Sequence, residues 1–319
     1  MNLSRYSEIN IQSGWPWDAD EGPSEPLSSE DTSFPKITII TPSYNQADFL
    51  EATIRSVLMQ NYPNLEYIVI DGGSTDGSIE IISHYQDRLA YWVSEPDTGQ
   101  CQALNKGFVR ATGDWMAWLN SDDIFLPGAL WTVARTIRSN VECDWIVGAV
   151  DFVDADLKPV GVFKPVFRTN DWLDFVCTKL KNGTALPQAG SFWSRKAWDA
   201  AGKLDESLHY AMDHEYWGRL AYNGFRPICL EQILALFRLH QQGKTARGEN
   251  EFLVEERIIV EKWLRRVTVP NEVQVLTNYR RTFGLRLLMR NFQHRLNSFL
   301  APFRSLVQRL RRAFNYNAS

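Results

Sequence analysis

From residue 36 the chain alternates between short unbroken apolar runs and longer stretches whose apolar residues step by three and four. Ile37-Thr38-Ile39-Ile40 is a β-branched run closed by Thr41-Pro42, which predicts a buried strand. Between Asp48 and Gln60, Phe49, Ala52, Ile54, Val57 and Leu58 share one helical face, and Asn61-Tyr62-Pro63 ends that helix. The alternation continues with strands at 67–70, 89–94, 115–119 and 144–150. Helices fall at 76–85, at 100–111 and from Pro127, a residue suited to a first helical turn. Strands and helices in strict succession with short links predict an α/β fold with a doubly wound, mostly parallel sheet. Past residue 150 the rhythm weakens. Residues 151–164 read as a hairpin or excursion, 189–193, 226–230 and 233–239 as strands, and 210–223 and 251–266 as helices.

Three polar clusters fall where predicted strands end: Thr41 to Asn45, Asp71 to Asp76, and Asn120 to Asp123. Ligands of such sheets bind at the carboxyl ends of the strands, so the coincidence points to a nucleotide or similar ligand. The segment after the first strand has neither G-x-G-x-x-G nor a P-loop lysine, which argues against a dinucleotide enzyme and a Walker-type ATPase. Asp122 and Asp123 are adjacent carboxylates after a buried strand. They read either as a site for Mg²⁺ or Mn²⁺ bridging to phosphates or as a helix cap. Asp71 reads either as an acceptor for the imide N–H of a pyrimidine or as an Asp-Gly turn. Thr41, Pro42, Ser43, Tyr44 and Asn45 can hold a base and ribose. In the second half, Asp213 is placed to take a proton from an acceptor hydroxyl, with Glu215 as competitor and an exposed helix carboxylate as the plain alternative. Arg238, His240, Gln242 and Lys244 can meet a diphosphate, and His240 reads as a metal ligand or a structural donor.

These stretches resemble the family 2 glycosyltransferases of GT-A fold, a Rossmann-like architecture. The carrying residues are Pro35 to Asn45, Ile70 to Gly77, Glu95-Pro96-Asp97-Thr98-Gly99 with Ala103 to Gly107, and Leu119 to Asp123. The resemblance is dense from about 35 to 130 and looser to about 245, in Asp205 to Asp213 and Arg238 to Lys244. It implies that Asp71 contacts a uracil, that Asp122 and Asp123 end the metal and ribose-diphosphate motif, that Asp213 is the base, and that His240 touches metal or phosphate. It also implies inversion at the anomeric carbon. The chain departs from the family in Gly72, where a second carboxylate is common, in Asn120, and in Met212 before the base. On this reading 1–34 is an irregular arm, 35–150 the nucleotide-sugar half, 151–248 the acceptor half and 249–319 a basic helical extension.

Composition adjusts the picture in three places. The 12 tryptophans read mainly as large core residues rather than sugar platforms. The four cysteines, Cys101, Cys143, Cys177 and Cys229, lie far apart without zinc spacing. This suggests a reducing compartment, and with no signal pattern or apolar run of spanning length it suggests a cytoplasmic protein. The net charge of −4 hides nine arginines and no acid after residue 272. From Leu285 apolar residues at three- and four-residue steps draw a stripe, interrupted by Pro302. That tail reads either as a helix packed on the domain or as one lying on an anionic membrane face, which would suit a lipid-linked saccharide acceptor. Nucleic acid is a poorer partner, since no reader module is present. The expected partners are therefore a nucleotide-sugar donor and a saccharide or lipid-linked acceptor. Two other classes compete: a catalytically silent nucleotide-sugar-binding or scaffold protein, and a nucleotidyltransferase, which would want a Gly- and Lys/Arg-rich loop after the first strand.

Overall fold

A computed structural model describes residues 15–17, 34–167, 186–241, 243–244 and 249–266, with side chains through 263. The chain divides into two compact units, 1–255 and 256–319. The first carries a nine-stranded sheet among the described residues. Its first half follows the predicted alternation: β1 (Ile37–Ser43), α1 (Ala47–Leu58), β2 (Leu65–Asp71), α2 (Ser78–His84), β3 (Tyr91–Ser94), α3 (Gln100–Arg110) and β4 (Trp115–Trp118). β1 lies between β2 and β4, all parallel, and β3 extends β2 in the same sense. β1 is buried along its whole length, as an apolar run with no polar face requires.

The two faces of the sheet are packed differently. Ile37 and Ile39 of β1, Val69 of β2 and Ala117 of β4 join Leu50 and Ile54 of α1 in one core. α4 (Ala129–Ser139) adds Leu130 and Val133 to it. On α3, Phe108 packs against Trp118, Trp193 and Trp198. Gly107 lets α3 approach, because a β-carbon there would stand 2.7 Å from Ile40 Cγ2. Trp118, Trp145, Trp193 and Trp217 form a buried aromatic cluster, with Trp118 and Trp217 stacked at 5.8 Å. The tryptophans therefore serve chiefly as core, as their number suggested.

The second half completes the sheet with β5 (Ile124–Phe125), β6 (Trp145–Val153), β7 (Pro159–Phe163), β8 (Ser191–Ser194) and β9 (Ile228–Arg238). β8 slots antiparallel between β4 and β6, β6 and β9 run parallel, and β7 pairs antiparallel with β6 as the hairpin reading of 151–164 expects. The two strands predicted at 226–230 and 233–239 are one strand. Gly148 faces Leu230 while the next residue, Ala149, faces Ile233, so Glu231 and Gln232 bulge out of the ladder and are exposed. α5 (Arg195–Ala201), capped by Ser194 Oγ accepting the Ala197 N–H, and β5 were not foreseen, being too short to show a period. α6 (Met212–Tyr222) and α7 (Glu249–Arg266) match expected helices.

Part of the N-terminal arm is pinned. Trp15 Nε1 donates to the Phe125 carbonyl at 2.8 Å, and Arg55 donates to the carbonyls of Pro16 and Trp17. Both tryptophans pack on a small core of Ile124, Leu126, Val153 and Leu236. Phe34 joins the main core, while the remainder of 1–34 and the amphipathic stretch from 278 lie outside the described residues. No described helix is long and apolar enough to cross a membrane.

Candidate active site

The carboxyl ends of β1 to β4 open onto one cleft of about 860 Å³. Pro42, Ser43 and Tyr44 come to it from β1, Gly72 and Gly73 from β2, Pro96 and Asp97 from β3, and Asn120, Ser121 and Asp122 from β4. The second half contributes Gln188, His209, Asp213, Arg238, His240 and Lys244. The clusters recognised in sequence thus meet at one rim, but their side chains divide into those that face the cleft and those that build it.

Asp71 builds it. Its Oδ2 accepts the N–H groups of Gly73 and Ser74 and the Ser94 hydroxyl, and its Oδ1 accepts the Ser74 hydroxyl, all within 3.1 Å. The side chain is fully buried and does not line the cleft. The sequence reading has Asp71 touch a base directly; here both of its oxygens are engaged by Ser94 and by the Gly72–Ser74 turn, whose glycines face the cleft. Thr41 and Asn45 behave likewise. Thr41 Oγ1 pairs with the Tyr67 hydroxyl at 3.0 Å, and Asn45, at a positive φ of 51°, bonds Ser74 and Thr75 across the rim. Pro42, Ser43 and Tyr44 do line the cleft, and Ser43 Oγ and Gln46 Oε1 are buried there without a hydrogen-bond partner among the described residues. Unpaired buried polar atoms facing a cleft are costly unless a ligand meets them.

The two adjacent carboxylates also part ways. Asp123 is 1% exposed. Its Oδ1 accepts the Arg238 N–H and its Oδ2 the Asn120 amide. Burial first, then the neighbouring Asp122 charge, push its carboxyl well above the ordinary range. With both oxygens bonded inside the fold and the side chain off the cleft lining, Asp123 acts here as an internal anchor, and of the two carboxylates expected to hold metal it is Asp122 that faces the cleft. Nor do the pair cap a helix, since β5 intervenes before α4. Asp122 faces the cleft, with Oδ2 2.9 Å from His240 Nε2. His240 is almost fully enclosed, rests on the Phe49 ring and leaves Nδ1 buried without a partner among the described residues. Arg238 holds this turn rather than standing free. Its Nε donates to the Asp122 carbonyl and its guanidinium lies over Phe49.

The donor chemistry here is one carboxylate oxygen and one imidazole nitrogen. That fits a divalent cation which takes few protein ligands and completes its shell with diphosphate oxygens and water. No group of three such ligands exists among the described residues, so the phosphates would be needed. A polar chain runs beside it. Lys244 Nζ donates to Gln100 Oε1 and the His209 carbonyl, Gln100 Nε2 to Asn120 Oδ1, and Asn120 Nδ2 to Gln188 Oε1.

Asp213 opens α6 and lines the cleft, whereas Glu215 is 4% exposed and clamped by Arg219 Nε at 2.8 and 3.0 Å. The loop before Asp213 is fixed by Glu255, whose carboxylate accepts the N–H groups of His209, Tyr210 and Ala211 at 2.6 to 2.8 Å.

Sequence reasoning passed over Asp97, Gln100 and Gln188 as site residues. Asp97 was within reach of the strand-end rule, since β3 ends three residues before it. Gln188 gave no signal, because nothing periodic leads into it.

The family model described as Glycosyl transferase family 2 matches residues 38–181. An uncharacterized glycosyltransferase of Mycobacterium tuberculosis (strain ATCC 25618 / H37Rv) is 44% identical over 211 residues, covering 65% of this chain and 76% of that protein. A putative teichuronic acid biosynthesis glycosyltransferase of Bacillus subtilis (strain 168), TuaG, is 41% identical over 230 residues, covering 70% and 80%. Among solved structures, S. aureus TarS 1–349 in complex with UDP-GlcNAc superposes with a TM-score of 0.58 at 18% identity, covering 76% of this chain and 71% of that one. The mannosyltransferase PcManGT from Pyrobaculum calidifontis, in complex with GDP-Man and Mn²⁺, gives 0.56 at 22% identity, covering 78% and 70%. The fold is GT-A, and the chain belongs to the family 2 glycosyltransferases.

Proposed function

We propose that the protein is an active, inverting transferase that moves a sugar from a nucleoside diphosphate, a uridine diphosphate first among candidates, to a hydroxyl of a saccharide or lipid-linked saccharide in cell-surface glycan synthesis. One observation carries this reading: Asp213, a carboxylate without an ion pair among the described residues, shares a single cleft with Asp122 and His240, while the rival Glu215 is locked to Arg219. A silent scaffold has no need of that separation.

In this reading Asp213 accepts the proton of the acceptor hydroxyl as its oxygen bonds the anomeric carbon. The bond from that carbon to the diphosphate breaks, and the diphosphate leaves with the electron pair. Attack from the side opposite the leaving group inverts the centre. Asp122 and His240 would hold Mg²⁺ or Mn²⁺, which when bound neutralises charge on the departing diphosphate. Lys244 adds positive charge nearby, and the Gly72–Gly73 backbone forms part of the wall the nucleotide would meet. Positioning and charge stabilisation supply most of the acceleration. The similarity to a teichuronic acid enzyme supports a polysaccharide acceptor. The basic stretch from 278 supports work at an anionic inner membrane face. Vesicle flotation with and without it, at low and high salt, separates that from plain packing.

The test is nucleotide release from a panel of nucleotide sugars, with and without acceptor, paired with thermal shift in Mn²⁺ and then EDTA. Cation-dependent stabilisation by one donor and acceptor-stimulated release support the reading. Stabilisation without any release across an acceptor panel would favour the silent class.

A further inference from the structure

We infer that Asp97 is the residue that reads the donor's base, supplying from the loop after β3 the carboxylate that Gly72 lacks. The inference rests on the nucleotide reading of the cleft and assigns the specificity within it. A β-carbon on Gly72 would stand 2.8 Å from Asp97 Oδ2, so the Asp97 carboxylate occupies the space a side chain at 72 would use. Asp71, next door, is fully buried, does not line the cleft and has both oxygens engaged by Gly73, Ser74 and Ser94. Asp97 Oδ1 accepts the Gly99 N–H at 2.9 Å, which fixes the side chain and leaves Oδ2 toward the Gly72 surface of the cleft. Around it the cleft offers what a flat base needs: the side-chain-free Gly72–Gly73 backbone, and the ring of Tyr44, 61% exposed and available for stacking. Ser43 Oγ, buried and unpaired among the described residues, marks the same end as built for a ligand.

A carboxylate oxygen accepts and cannot donate. It therefore selects bases that present an imide-type N–H, as uracil, thymine and guanine do, and it repels the bare ring nitrogen of cytosine. Asn at 97 can still accept the Gly99 N–H, so the turn is kept while the acceptor-only character is lost.

The experiment is calorimetric binding of UDP, GDP and CDP, with Mn²⁺, to the full chain and to Asp97→Asn, Asp97→Ala and Gly72→Ala. The wild type should favour UDP or GDP over CDP. Asp97→Asn should lose roughly ten- to hundredfold for the favoured nucleotide, the range for a hydrogen bond to a charged group, and gain on CDP. Asp97→Ala should lose the first without the second. Gly72→Ala, which displaces the carboxylate, should weaken the favoured nucleotide while circular dichroism and Tm confirm the fold. Unchanged base preference in Asp97→Asn overturns the assignment and leaves the transferase reading standing. Absence of any nucleotide binding by the wild type overturns both.

Discussion

Asp213 and Glu215 sit two residues apart at the start of α6, yet only one is available for proton transfer. Arg219 neutralises Glu215 at hydrogen-bond distance, and removing either partner of such an enclosed pair leaves an uncompensated charge. Asp213→Asn should therefore fold and bind nucleotide normally while transfer falls by roughly 10²–10⁴-fold, the range for a lost general base. Glu215→Gln should instead lower Tm. Wild-type turnover in Asp213→Asn, measured by nucleotide release, would move the base elsewhere. Local spacing left these two carboxylates level, and only the family resemblance favoured Asp213. The distinguishing fact is an i,i+4 partner on a buried face, and burial is a property of the folded sheet rather than of local spacing. The same holds for Asp71 and Asp123. Their identity and place at strand ends were legible; the inward turn of their side chains was not.

At the scale of elements, two polar anchors hold the cleft's walls. Glu255, on the first turns of α7, gathers three consecutive N–H groups of the loop that precedes Asp213. Glu255→Ala strands those donors and should cost about 1–3 kcal/mol in chemical denaturation. Turnover should suffer more than nucleotide affinity, because the loop bears on Asp213. Glu66 of β2 ties β1 and the turn before β4 together, accepting from Lys36, Thr38 and Thr112. Burial alone would raise its carboxyl, but Lys36, Thr112 and Thr38 outweigh it and bring the pKa from the ordinary 4.5 to about 2. A depressed folded-state value means this stabilisation is complete above pH 4.5 and is lost as pH falls toward 2. Acid unfolding of Glu66→Gln should accordingly show a shallower pH dependence between those limits. Elements with a clear period, β1 to α3 above all, were readable from the chain. β5, α5 and the bulge in β9 were not, since two-residue strands and a two-residue insertion leave no periodic trace.

For the molecule as a whole, the N-terminal arm joins the sheet beside the turn that carries Asp122. Trp15 bonds the carbonyl of Phe125, two residues beyond Asp123, and both arm tryptophans cover the core under β5 and β9. Trp15→Ala should destabilise by roughly 1–3 kcal/mol, less than a fully enclosed tryptophan because Trp15 is only partly covered. Hydrogen exchange should quicken at 122–126 before it does at β1. Exchange that quickens uniformly would mean the arm acts on global stability alone.

The fourfold-bonded carboxylate of Asp71 has one more consequence. A loop tied by four bonds to a carboxylate of its own chain gives up its conformational freedom at folding, so ligand capture asks for little further ordering there. Encounter should then proceed as a single fast phase in stopped-flow mixing, with a rate rising linearly in nucleotide concentration and no plateau from a rearranging rim.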